Sequence, residues 1–119
     1  MSRYLISNSS LLQGKRVLEL GSGVGLCGIV AAHYASLCLL TDCDGASLAL
    51  LNANINRNSH MFMPNSVVAS RHLWWGKAED EDAISAEYGR FDVVIGSDIA
   101  LVFWMDAVMK DSLVNACFI

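Results

Sequence analysis

An apolar strand that ends in an acid and breaks at once into a ladder of glycines constrains this chain more than any other feature. Residues Val17 to Gly28 read V-L-E-L-G-S-G-V-G-L-C-G. Gly21, Gly23 and Gly25 allow backbone conformations that a side chain forbids, and they bring main-chain N–H groups close to a ligand at a helix N-terminus. Strand, glycine turn and helix in that order begin a nucleotide-type cofactor site in an α/β fold.

The glycines alone do not choose the cofactor, because Gly23-Val24-Gly25-Leu26-Cys27-Gly28 also matches the dinucleotide string G-x-G-x-x-G. Glu19 weighs on the choice. A carboxylate just before the first glycine repels a pyrophosphate, whereas it suits a cationic amino group such as that at the methionine end of S-adenosylmethionine. Glu19 therefore favours S-adenosylmethionine over NAD.

A chain of 119 residues makes one domain at most, and 54% apolar content is more than a domain of that size needs to fill its own core. It reads like the inside of something larger. The net charge of −4 and the scattered basic residues leave no electrostatic footprint for nucleic acid. Cys27, Cys38, Cys43 and Cys117 form no C-x-x-C pair and the three histidines recur at no ligand spacing, so neither a disulfide framework nor a metal site is indicated. The N-terminus has no apolar stretch of signal-peptide length, so a cytosolic or nuclear location is the expectation. Leu20 to Thr41 lacks charged residues and has the length of a membrane span. Glycines crowd its first half and a strand-like run, Leu37 to Leu40, fills its end, so a buried helix followed by a buried strand is expected instead.

Arg16 to Leu20 is predicted as a strand, Leu26 to Tyr34 as a small-residue helix and Leu37 to Thr41 as a second strand. Together they make one right-handed βαβ unit. A helix is expected from Ala46 to Asn58, with Leu48, Leu51 and Ile55 on one face. Pro64 and Asn65 break the chain before a third strand at Ser66 to Ser70. The acidic run Lys77 to Glu87 reads as a solvated loop or short surface helix, and Phe91 to Gly96 as a fourth, buried strand. The result is an open, mostly parallel sheet whose ligand belongs at the C-terminal ends of the strands.

The polar residues of interest all fall at that rim. Glu19 ends strand one, Asp42 ends strand two, Leu73 to Gly76 follow strand three, and Asp98 follows strand four. Asp42 stands nineteen positions after Gly23, close to the offset of about 20 residues at which an acid accepts hydrogen bonds from ribose hydroxyls. Asp44 competes with it, with helix capping as its plainer role. Trp74 and Trp75 offer ring faces for adenine beside a chain reversal, or fill the core. Asp98 either holds a substrate amine near the reacting methyl group or caps the helix that follows.

The series V-L-E-L-G-S-G-V-G-L-C-G, L-L-T-D-C-D, L-L-N-A-N-I-N-R-N, L-W-W-G and F-D-V-V-I-G-S-D-I resembles methyltransferase family 16. These are seven-β-strand, S-adenosylmethionine-dependent enzymes with a Rossmann-like class I methyltransferase fold, and many of them methylate lysines in other proteins. The likeness runs from Arg3 to Ile99, including R-Y-L-I-S-N-S-S-L-L-Q-G-K ahead of the first motif. It implies that Glu19 with Gly21, Gly23 and Gly25 binds the methionine part, Asp42 the ribose, and that Trp75 lies by the adenine. It makes Asp98 the start of the family's D-x-x-Y substrate motif.

Asp98-Ile99-Ala100-Leu101 carries Leu101 where that motif has tyrosine. The sequence ends at Ile119, before the family's last three strands, so the expectation is a partial domain over 1–119, with motifs in 15–99, a divergent tail at 100–119 and an unpaired edge on strand four. The tail from Val102 to Ile119 has Val102, Met105, Val108 and Met109 at helical spacing, so a helix over that edge is one alternative, and a shortened product of a longer coding sequence is the expectation preferred over it. The expected activity is methyl transfer from S-adenosylmethionine to a protein lysine, with a protein partner and neither nucleic acid nor membrane. The second reading is a shortened chain that binds cofactor weakly or serves as an interaction module. The third, an NAD-dependent oxidoreductase fragment, is disfavoured by Glu19 and L-W-W-G.

Overall fold

A computed structural model of the chain describes residues 1–97 and 113–119. In chain order the elements are α1 (Ser2–Ser7), β1 (Arg16–Leu20), α2 (Leu26–Ala32), β2 (Leu37–Asp42), α3 (Gly45–Asn58), β3 (Val67–His72), α4 (Ala78–Tyr88), β4 (Phe91–Gly96) and β5 (Val114–Phe118). The strands form one sheet in the order β3-β2-β1-β4-β5, parallel at every pairing. The order reverses beside β1, so the crevice for a ligand opens at the C-terminal end of that strand.

Both faces of the sheet are covered, which is why its strands read as continuous apolar runs. Val17, Cys38, Leu40, Val93 and Ile95 pack on the α2 and α3 side with Ala31, Leu51 and Ile55. Leu18, Leu20, Leu39 and Val94 pack on the other side with Ile84 of α4, Phe91 and Leu113. At the N-terminal end of the sheet Arg16 ties three segments together. Its N–H donates to Asp92 at 2.9 Å, and its guanidinium donates to the carbonyls of Arg90 and Tyr88.

The predicted strands at Arg16–Leu20 and Phe91–Gly96 are found at those bounds, and the third begins and ends one or two residues later than expected. The acidic run folds as the helix α4, one turn of which faces inward, with Glu81 and Ile84 buried. One expectation and one alternative are corrected. The edge of β4 is not left unpaired, and the tail is not helical to its end. Residues Val114–Phe118 form a fifth strand parallel to β4, flanked by Phe91 N–H to Leu113 C=O at 2.8 Å and Ile119 N–H to Val94 C=O at 2.9 Å. The unpaired N–H and C=O groups of β4 demand a partner, and backbone pairing satisfies them in a way that a covering helix does not. Val102, Met105, Val108 and Met109 lie outside the described residues, as do Asp98 and Leu101.

Candidate functional site

A cleft of about 660 Å³ opens where β1 gives way to α2, within the volume range of small-molecule sites. Glu19, Gly21, Ser22 and Gly23 line one side, Ser97 just after β4 another, and Met1 and Ser2 at the start of α1 a third. Three of the glycine-motif residues singled out in the sequence thus meet at one surface: Glu19, Gly21 and Gly23.

Gly25 stands off the cleft. It precedes α2 at a φ of 90°, a left-handed conformation that favours glycine, and a Cβ there would meet Leu51 at 2.3 Å. Its role in the structure is to turn the chain tightly against the core. Gly28 lets the helix approach the sheet, because a Cβ would meet the Glu19 carboxylate at 2.4 Å and the Leu40 side chain at 2.5 Å. Its carbonyl accepts from the buried Cys38 thiol at 3.3 Å, which hinders the helix from shifting to make room. Gly28→Ala is expected to destabilise the chain by about 1–3 kcal/mol through overpacking, measured by denaturant unfolding; an unchanged midpoint would show that α2 yields.

Glu19 is 1% exposed, and its Oε2 has no hydrogen-bond partner. Burial pushes the carboxyl up from 4.5 to about 7; Ser22 and the Gly28 backbone hold the rise down, and the nearby charge of Asp42 adds to it. Ser22 Oγ, close enough to the Glu19 carboxyl to lower its pKa, is a second buried polar atom that makes no hydrogen bond of normal length and angle. Two such orphans in one cleft wall are costly in a native fold unless something else meets them. A cationic group that donates hydrogen bonds is the natural complement of Glu19.

Asp42, at the end of β2, is half-buried and already engaged. Its carboxylate accepts the Gly23 N–H at 2.8 Å and the Asp44 N–H at 3.0 Å. Each oxygen keeps a lone pair toward solvent or ligand. Asp44 does the capping: it precedes α3 and accepts from Ser47 N–H and Oγ, both at 2.8 Å. The two acids that compete in the sequence are therefore divided between loop and helix. Leu73 N–H donates to the Asp42 carbonyl at 3.1 Å, so the turn after β3 begins directly beside Asp42. Trp74 in that turn is 59% exposed, while Trp75 is half-buried against the core cluster of Leu18, Leu20 and Ile84.

Three residues at this rim are invisible to motif reading. Asn54 of α3 donates to the Val24 carbonyl at 2.9 Å and so holds the glycine turn from above. Asp80 and Glu81 of α4 accept from Trp74 N–H and Gly76 N–H at 2.9 and 3.2 Å. The spacing of asparagines in N-A-N-I-N-R-N hints at the first; the other two signal only as acids in the first turn of a helix. Among the described residues, no group of three or more His, Cys, Asp or Glu side chains is placed to hold a metal ion.

A parallel sheet in this order, a glycine turn after the first strand and an acid ending the second define the Rossmann-like class I methyltransferase fold. The likeness to an O-methyltransferase from Bacillus cereus, solved in complex with SAH, has a TM-score of 0.64 at 19% identity and covers 97% of this chain and 54% of that one. The lysine methyltransferase family profile matches residues 1–115, and the chain belongs to that family. Protein N-lysine methyltransferase METTL21A of Danio rerio is 40% identical over 88 residues, 74% of this chain and 38% of that protein. Calmodulin-lysine N-methyltransferase of Arabidopsis thaliana is 35% identical over 100 residues, 82% of this chain and 31% of that protein. The chain spans less than half the length of these relatives.

Proposed function

We propose that this chain is the cofactor-binding part of an S-adenosylmethionine-dependent methyltransferase whose substrate is a lysine side chain of another protein. The observation that carries the reading is the buried, unpartnered Glu19 oxygen at a glycine-turn cleft, which asks for a cation. Family membership and the names of the relatives support the lysine substrate.

S-adenosylmethionine supplies an electrophilic methyl group on a sulfonium. The work of the chain is to hold and align. Glu19 takes the ammonium of the methionine part, with Ser22 Oγ beside it, and the turn of Gly21 and Gly23 brings the backbone close. Asp42 accepts from the ribose hydroxyls while its existing bond fixes Gly23. Trp75 lies toward the adenine end. Asp98, one residue beyond the cleft-lining Ser97, orients the incoming amine, which reacts as its neutral form once desolvation lowers its pKa. Direct displacement needs little more than such alignment.

Calorimetric titration of the purified chain with S-adenosylmethionine and with S-adenosylhomocysteine tests the reading. Saturable one-site binding by the wild type, lost in Asp42→Ala, is the expected result. A folded, monomeric chain that binds neither would overturn it.

A further inference from the structure

The turn that carries the two tryptophans is gripped from outside the cleft by α4. Asp80 Oδ2 accepts the Trp74 N–H at 2.9 Å, and Glu81 Oε1 accepts the Gly76 N–H at 3.2 Å. Both ends of Trp74-Trp75-Gly76 are thus bonded to adjacent side chains of one helix, leaving Trp75 between them. Glu81 is 2% exposed, a place where a carboxylate is seldom found without a specific task. The two acids also belong to the first turn of α4, where the positive end of the helix dipole favours them and stiffens the arrangement.

The residues around the pair reinforce it. His72 Nδ1 lies 3.3 Å from Asp80 Oδ2, and Lys77 Nζ lies 3.8 Å from Asp80 Oδ1. The Trp74 amide, followed by the charge of Lys77, holds the Asp80 carboxyl below the usual carboxylate range, so it is ionised and a strong acceptor at neutral pH. On the cleft side, Leu73 is bonded to the Asp42 carbonyl. The turn is therefore tied at Leu73 to the end of β2 and at Trp74 and Gly76 to α4.

We infer that Asp80 and Glu81 are positioning residues, a carboxylate clasp that sets the Trp-Trp-Gly turn so that Trp75 meets the adenine end of the cofactor. This inference rests on the cofactor reading above. The clasp itself does not need a ligand to be seen: it slows amide hydrogen exchange at Trp74 and Gly76.

The test has two layers. Exchange of the Trp74 and Gly76 amides in the ligand-free chain is expected to be slow in the wild type and fast in Asp80→Ala and Glu81→Ala. Fast exchange in the wild type would overturn the clasp whatever the ligand does. Titration with S-adenosylhomocysteine is expected to show each alanine variant weakened by about fivefold, the worth of one aromatic contact. That loss should vanish when measured in a Trp75→Ala background, and Glu81→Gln, which keeps an acceptor oxygen, should restore most of the affinity. Losses that simply add to that of Trp75→Ala would make the pair structural only and overturn the inference. Absence of binding by a folded wild type with slow exchange would instead strike the cofactor reading, and with it the role but not the existence of the clasp. Asp80→Asn, at a side chain 17% exposed, serves where an alanine variant fails to fold.

Discussion

Glu19→Gln is expected to make the ligand-free chain more stable and its cofactor site nearly useless. Burial raises the Glu19 carboxyl to about 7 in the folded chain against 4.5 when exposed. Between those values the folded chain holds a proton that the unfolded chain has released, so stability falls as pH rises through that window. The loss is complete above about pH 7 and amounts to about 3 kcal/mol. A glutamine of the same shape carries no such charge and should recover most of that at pH 8 and almost nothing at pH 4. It meets an ammonium group with a neutral acceptor oxygen and no opposing charge, and affinity for S-adenosylmethionine should fall on the order of 100-fold. In the wild type, affinity should rise with pH up to about 7, as the carboxylate becomes ionised. Unfolding curves at pH 4 and 8, with titrations at matching pH, measure both. A variant that is less stable at pH 8, or that binds as well as the wild type, would refute the assignment of Glu19.

Asp42→Ala carries the second large effect, for a different reason. The carboxylate anchors the turn through Gly23 N–H and Asp44 N–H, and in the proposed function it also accepts from the ribose hydroxyls. Removing it leaves Gly23 without an anchor and is expected to cost about 1–3 kcal/mol of stability, the worth of hydrogen bonds to a charged acceptor. Binding should fall by about 100-fold or more, because the ribose acceptor and the ordered turn go together. Asp42→Asn separates the two, since its amide oxygen keeps one acceptor; it should hold Gly23 in place and still lose much of the affinity. Equal affinity of Asp42→Asn and wild type would remove the ribose role and leave the anchor alone.

Much of the fold is legible in the residues because the parallel strands are buried on both faces and write themselves as apolar runs. Val17 to Leu20 and Phe91 to Gly96 have no other reading once the glycine turn is recognised. The rim is legible for a similar reason: Glu19 and Asp42 are acids at the ends of such runs, where a packing role is hardest to supply. The remainder depends on contacts between segments far apart in sequence. Glu81 looks like one acid among several in A-E-D-E-D, and only the position of Gly76 turns it inward. Val114 to Phe118 lies beyond residues spaced as for a helix, and its strand character comes from the open ladder of β4 rather than from its own pattern. Asn54 is a helix residue like its neighbours until the Val24 carbonyl is placed opposite it.

Glu19 sits on β1, the strand flanked by β2 on one side and β4 on the other. Opening that strand means dismantling the middle of the sheet, so local openings leave the site at Glu19 intact and a molecule bound there opposes global unfolding. Its binding energy is then added in full to the cost of global unfolding. Proteases cut such chains mainly through their opened state, so the lifetime of this protein should lengthen and shorten with the supply of its ligand. A chain built this way would be scarce wherever that ligand runs low, with no change in its synthesis.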